Sequence, residues 1–164
     1  MKPEDKDCTV LFSESYLKTV LSDPDGFFGL FYQLFRKADP QVEKLFSATH
    51  MERQRSMLEE SLLHMIDFSR SRVPGARIKG LAAYHGHNHM NIPARLFDLW
   101  LECLLTALRE RDPELDLDTE TAWRVTLAPG LAYMKSRSST HPDPRRAEST
   151  RRPQEEERGA PHAT

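Results

Sequence analysis

The sequence has little cysteine, no long apolar run and no excess of charge of one sign. Its 164 residues include two cysteines, Cys8 and Cys103, too few for a disulfide framework or a four-thiolate metal site. No apolar run approaches the ~20 residues of a membrane span, and residues 1–8 lack an apolar signal core. The formal net charge of -2 gives no reason to expect nucleic-acid or membrane partners. We therefore expect a cytoplasmic, single-domain protein.

The last stretch of the chain, residues 136–164, differs in composition from the rest. Its only apolar residues are alanines, four prolines interrupt it, and its charges are mixed. Such a segment cannot bury enough apolar surface to offset the loss of chain entropy on folding. The composition predicts a folded domain over residues 1–135 and a disordered tail over residues 136–164. A docking role for the tail's two Arg-Arg pairs is the functional alternative.

The folded part has the apolar spacing of an all-α protein. Apolar residues recur with a period near 3.6, and no segment shows the alternation of a strand. Asp-Pro pairs predict two helix starts, and Thr49 with Glu52 has capping-box spacing. The predicted helices are a first helix from Ser13 to Leu21, helices opened by Asp23-Pro24 and by Asp39-Pro40, a helix from Thr49 to Ser71, and helices over 77–88, 93–111 and 118–135.

Gln54 lies within the apolar face of the helix that follows Thr49. At 100° per residue, Leu58 falls about 40° and Met65 about 20° from it. A glutamine near a helix start usually reaches solvent. The functional alternative is an amide that faces a ligand pocket.

His85 lies at the centre of the apolar face of the next helix, about 20° from Ile78. Three interpretations of the role of this histidine remain open. It is a satisfied core residue, or it forms half of a zinc site with His89 at i,i+4 spacing, or it is the single axial ligand of a haem. The zinc site needs a third ligand that the spacing does not identify. A haem needs one histidine and a flat apolar pocket.

Several segments, taken in order from Phe12 to Met134, resemble the globin family, and especially bacterial single-domain globins and the haem domain of flavohaemoglobins. They are Leu30-Phe-Tyr-Gln-Leu-Phe35, Pro40-Gln-Val-Glu-Lys-Leu-Phe46, Leu81-Ala-Ala-Tyr-His85, Asn91-Ile-Pro93, Phe97-Asp-Leu-Trp100 and Ala122-Trp123. The resemblance implies a globin-like fold, a three-on-three helical sandwich. Pro129-Gly130 departs from the family pattern and predicts a kink or an early end in the last helix.

The resemblance implies a haem b site and assigns its residues. His85 becomes the proximal iron ligand, and we expect its second ring nitrogen to bond a backbone carbonyl one turn earlier. Tyr32 and Gln54 become the distal hydrogen-bond donors to a gas ligand. The other residues predicted to contact the haem are Phe46, Leu58, Leu81, His89 and Ile92. Trp100, Trp123 and Tyr84 are predicted to serve packing only.

Three functions are compatible with such a site. The first is reversible binding of dioxygen, NO or CO for storage or transport. The second is nitric oxide dioxygenation, which would need an external reductase because the chain contains no flavin or nicotinamide domain. The third is a gas or redox sensor that acts through the tail or a partner. The sequence does not indicate an oligomeric state.

Overall fold

The computed structural model describes residues 7–86 and 90–138, and within these ranges the chain forms seven α-helices and no β-strand. The predicted all-α class is confirmed. Among the described residues, no helix is both long and apolar enough to cross a membrane. The helices are α1 (Cys8–Ser15, continued by a π-helical turn over Tyr16–Leu21), α2 (Pro24–Ala38), α3 (Pro40–Phe46), α4 (Met51–Ser71), α5 (Ala76–His85), α6 (Ala94–Arg111) and α7 (Leu117–Arg137).

The two Asp-Pro pairs begin helices as predicted. The carboxylate of Asp23 accepts a hydrogen bond from the amide of Gly26, and the carboxylate of Asp39 accepts one from the amide of Gln41. In each case the proline stands in the first turn, where its missing N–H would have had no helical partner. These starts are encoded locally, by the side chains that cap them.

The predicted start of the first helix is wrong. Asp7 caps α1, because its carboxylate accepts from the amide of Thr9 at 2.9 Å. Ser13 lies inside the helix, and its hydroxyl donates to the carbonyl of Thr9. The predicted end at Leu21 agrees with the last residue of the π-helical turn.

The capping box predicted for α4 does not form. The hydroxyl of Thr49 instead donates to the carbonyl of Leu45, at the end of α3. His50 is the residue before the first helical position, and its side chain makes no capping bond. α4 nevertheless begins at Met51 and ends at Ser71, the residue predicted for its end.

The C-terminal ends of α5 and α7 also differ from the prediction. α5 ends at His85, before the predicted end at Asn88, which lies outside the described residues. α7 continues through Pro129 to Arg137, so the helix does not end early. It therefore extends into the predicted tail, and residues 139–164 lie outside the described part of the chain.

The core joins the first and last helices and sets α2 against α6. α7 packs against α1, α4 and α5, and α2 packs against α3 and α6. The fully buried Trp123 donates its indole N–H to the hydroxyl of Ser15 at 3.0 Å. Its ring lies 4.5 Å from that of Phe12. Arg95 on α6 bonds both Asp39 and Gln41, so the start of α3 is held against α6. These contacts leave α4 and α5 on two sides of a cavity.

Candidate functional site

A cavity of about 690 Å³ opens between α4 and α5 and extends to α2, α3, α6 and α7. Its volume falls within the usual range for small-molecule and cofactor sites. Its lining is mainly apolar and includes seven of the eight residues predicted to form the site. The eighth, His89, lies outside the described residues. The seven are Tyr32, Phe46, Gln54, Leu58, Leu81, His85 and Ile92.

The imidazole of His85 is held by its own helix. Its Nδ1 lies 2.9 Å from the carbonyl oxygen of Leu81, one turn earlier, as predicted. A carbonyl only accepts, so Nδ1 carries the proton and Nε2 keeps its lone pair. Burial lowers the pKa of His85 below its usual value, because the charged ring would lose hydration. At neutral pH the ring is therefore uncharged and suited to bind a metal through Nε2.

Residues 90–92 fold back onto the end of α5. Three consecutive amides donate to three consecutive carbonyls that the helix leaves without partners. Asn91, the middle donor, has a left-handed backbone with φ of 51°, which turns the chain back. The pairs are Met90 N–H to Tyr84 O (3.2 Å), Asn91 N–H to Gly86 O (2.8 Å) and Ile92 N–H to His85 O (3.0 Å).

Tyr32 and Gln54 meet, although not in the way expected of two independent side-chain donors. The hydroxyl of Tyr32 donates to the main-chain carbonyl of Gln54 at 3.3 Å. Burial raises the pKa of Tyr32 to about 12, so the hydroxyl keeps its proton at neutral pH. The ring of Tyr32 lies edge-on to the rings of Phe31 and Phe46, at 5.0 and 5.5 Å. These contacts fix the ring at the cavity wall.

Three aromatic residues that were predicted to pack elsewhere, or were not singled out, also line the cavity. Phe97 lies 6.3 Å from the His85 ring, and Trp100 follows one turn later on α6. Tyr84 was predicted to serve packing only, but it lines the cavity and lies edge-on to His85 at 5.4 Å. The i,i+3 spacing of Phe97 and Trp100 was a usable sequence signal, since it places both on one helix face.

Polar residues outside the predicted set of site residues lie at the exposed edge of the cavity. Glu60 accepts from Arg77 at 2.6 Å and lies 3.4 Å from Nε2 of His64. This cluster joins α4 to the first turn of α5. Arg53 also lines the cavity and is exposed, and within the described residues its guanidinium group makes no hydrogen bond or ion pair. The sequence signal that could have identified Arg53 was its position next to Gln54.

Four of the six methionines line this one cavity. Met57 is 42% exposed, whereas Met65 and Met134 are buried. Thioether side chains are flexible and polarisable, so they fill irregular apolar space around a bound group. The fourth is Met90, in the segment after His85.

The zinc alternative pairs His85 with His89, which lies outside the described residues, so it stays a prediction. Over residues 7–86 and 90–138, no group of three histidine, cysteine, aspartate or glutamate side chains is placed to hold a metal ion. In the described part of the chain, His64 lines the exposed edge of the cavity beside Glu60, whereas His85 lies in its apolar wall. That arrangement is typical of an axial ligand to a cofactor that brings its own equatorial donors.

Among solved structures, the chain is similar to protein PA3967 from Pseudomonas aeruginosa PAO1, which is described as structurally highly homologous to a human haemoglobin. The two chains are 30% identical, with a TM-score of 0.74, and the match covers 81% of this chain and 100% of the other. No family model and no curated protein matches the sequence. The predicted globin-like helical fold is confirmed, while the narrower likeness to flavohaemoglobins stays a prediction. The chain belongs to the globin family.

Proposed function

We propose that this globin binds haem b through His85 and reversibly holds dioxygen, NO or CO at the haem iron. The observation that carries the proposal is the state of His85. Its proton lies on Nδ1, bonded to Leu81, and its free Nε2 belongs to an uncharged ring in the wall of a largely apolar cavity. A neutral imidazole with one nitrogen already bonded to a carbonyl is the usual form of a metal-binding histidine.

The residues of the cavity fit a haem. A haem presents a flat apolar ring and two carboxylates. Phe46, Leu58 and Phe97 supply apolar walls, and the exposed guanidinium groups of Arg53 and Arg77 supply cations for the carboxylates. Arg53 has no other partner within the described residues, so it can accept this role without breaking an existing ion pair.

A bound haem would supply an iron atom that binds diatomic gases reversibly. The chain's own contribution begins with His85. The Leu81 carbonyl fixes the tautomer and the angle of the imidazole, and it increases the basicity of the remaining nitrogen. The apolar side chains around the ring exclude water from the site. Electrostatic interactions within the cavity are stronger for that reason.

Tyr32 and Gln54 would select among gases by hydrogen bonding. The Tyr32 hydroxyl has one proton, which the Gln54 carbonyl accepts over 3.3 Å, a long bond for an O–H donor. Turning that proton toward a ligand therefore costs little. The Gln54 amide group provides a second donor. A polar diatomic ligand such as bound dioxygen would accept such bonds more strongly than carbon monoxide would, so these two donors would favour slow release of dioxygen.

The test is a set of visible absorption spectra of the haem-reconstituted full chain in ferric, dithionite-reduced and carbon monoxide-bound forms. The parent should show a Soret band that shifts on reduction and again on carbon monoxide. His85→Gly should lose or alter this spectrum and recover it when imidazole is added. His50→Ala is the matched control, because His50 is exposed and does not line the cavity.

Two results would contradict the proposal. One is a reconstituted chain without a Soret band, and the other is a His85→Gly variant with an unchanged spectrum. If haem binding holds, turnover of NO with a supplied reductase separates nitric oxide dioxygenation from reversible gas binding. A change in partner binding with haem ligation would instead support a sensor.

A further inference from the structure

The backbone angles of Gly86, the residue after His85, do not explain why this position is a glycine. It is buried, with φ of -73° and ψ of 178°, which any residue adopts. Left-handed conformation is the usual reason for a glycine at the end of a helix. That reason does not apply here, so the requirement must come from the space around the residue.

That space is closed by main-chain oxygens. A Cβ at position 86 would lie 2.8 Å from the carbonyl oxygen of Arg137 and 3.0 Å from that of Ala82. The carbonyl oxygen of Ala83 would lie at 3.4 Å. A side chain could rotate away from such a contact, but a main-chain oxygen cannot. Any side chain at Gly86 must therefore move either the last turn of α7 or the end of α5.

His85 is joined to this contact by the backbone on both sides. Its carbonyl accepts from Ile92, and the carbonyl of Gly86 accepts from Asn91. The amide of Gly86 in turn donates to Ala83 at 3.3 Å. Because these main-chain groups of His85 and Gly86 are already hydrogen-bonded, no free loop end can absorb a displacement of Gly86. Such a displacement passes to the Cα of His85 and hence to the imidazole.

We propose that Gly86 is a positioning residue for His85, through which the C-terminal end of α7 sets the position of the imidazole. The role of His85 as iron ligand rests on the proposed function, whereas the contact between Gly86 and Arg137 does not. Because Gly86 has no side chain, the last turn of α7 can pack directly against the residue that follows His85.

The experiment compares Gly86→Ala with Gly75→Ala in the full chain. A Cβ at Gly75, the residue before the first turn of the same helix, meets no atom within 4 Å. In the ferrous haem protein, the iron–histidine stretching band measured by resonance Raman should shift in Gly86→Ala and stay at the parent position in Gly75→Ala. In the haem-free chain, the amides of Met90, Asn91 and Ile92 should exchange with deuterium roughly tenfold faster in Gly86→Ala.

Arg137→Gly provides a second variant if Gly86→Ala does not fold. It loosens the last turn of α7 without changing α5, and the same two readouts should move in the same way. Unchanged amide exchange and an unchanged band would overturn the proposal. A lowered melting temperature with an unchanged band would also overturn it, because it would make Gly86 a stability residue only. If the reconstituted parent shows no Soret band, the proposed function fails, while the exchange experiment still decides whether Gly86 holds this backbone.

Discussion

The hydroxyl of Tyr32 on α2 donates to the main-chain carbonyl of Gln54 on α4, and the Gln54 side chain does not take part in that bond. The two residues predicted to act together on a ligand are therefore connected through the backbone. Because the acceptor is a peptide carbonyl, it survives any substitution at position 54. The roles of the hydroxyl and the amide can be separated by mutation.

Tyr32→Phe is expected to speed dioxygen release by roughly tenfold, with a smaller effect on carbon monoxide release. A hydrogen bond to a charged group is worth about 1.5–3 kcal/mol. Part of that gain is offset because the Tyr32 hydroxyl must give up its bond to Gln54. We therefore expect an effect at the low end of this energy range. Stopped-flow measurement of the two dissociation rates checks this. Equal acceleration of both gases would remove Tyr32 from the distal site.

Gln54→Leu should leave the Tyr32 hydroxyl bond in place. We therefore expect Tyr32 to keep its high pKa of about 12 in this variant. Ultraviolet titration of tyrosine absorbance, with Tyr32→Phe subtracted as the reference, measures the value. A clear fall in the pKa of Tyr32 in Gln54→Leu would mean that the amide, or the packing it provides, controls the hydroxyl.

Alkaline pH should destabilise the fold through Tyr32. The folded chain keeps the Tyr32 proton up to about pH 12, whereas the unfolded chain releases it near the ordinary value of 10.0. Above the lower value the unfolded state binds fewer protons, so the free energy of unfolding falls as pH rises between them. The loss reaches about 2–3 kcal/mol. The full loss is reached only above about pH 12, so urea unfolding at about pH 9 and about pH 11 should show roughly half of it, about 1.3 kcal/mol, in the parent and a smaller loss in Tyr32→Phe.

Gly130 marks the close approach of α7 to α4. A Cβ there would lie 2.6 Å from Cγ and 3.0 Å from Cβ of Met65. We expect Gly130→Ala to lower the free energy of unfolding by about 1–3 kcal/mol through overpacking. Gly80→Ala is the control, since a Cβ at that helical position meets no atom within 4 Å, and it should be neutral or stabilising. Equal effects of the two substitutions on urea unfolding would contradict the close approach of α7 to α4 at Gly130.

The hydrogen bond between Trp123 and Ser15 should be important for docking α1 on α7. Ser15→Ala leaves the buried indole N–H without an acceptor, which costs about 1–3 kcal/mol. Ser13→Ala, on the same helix, removes only a hydroxyl that bonds its own backbone, and we expect it to be nearly neutral. Thermal unfolding of the two variants distinguishes them, and a neutral Ser15→Ala would show that the indole finds another partner.

The helix starts show which local patterns were sufficient for prediction. Asp23 and Asp39 each bond an amide within three residues, so the sequence contains the whole interaction. Thr49 has an equally suitable spacing, but its hydroxyl turns to the preceding helix instead. A threonine between two helices can bond either one, and the choice depends on how α3 and α4 meet. That relation is tertiary and is absent from a short window of sequence.

The residues that line the cavity could also be predicted only in part. His85 stood out because a histidine at the centre of an apolar face is unusual, and its partner followed from helical spacing. Trp100 and Tyr84 were assigned to packing and Phe97 was given no site role, because residues that line a cavity and residues that fill a core have the same apolar pattern. The end of α5 at His85 depends on donors five to seven residues downstream, which helix-stop signals do not include.

The methionines of the cavity wall make this site sensitive to oxidation. Peroxide converts a thioether to a sulfoxide, replacing an apolar surface with a strong dipole. Met57 is the most exposed of the four methionines that line the cavity, and should react first, before Met65 and Met134. Mild peroxide treatment of the haem-free chain should therefore weaken later haem retention, and Met57→Leu should resist that loss. Reduction by a methionine sulfoxide reductase should restore it, so the redox history of the chain would affect its affinity for the cofactor.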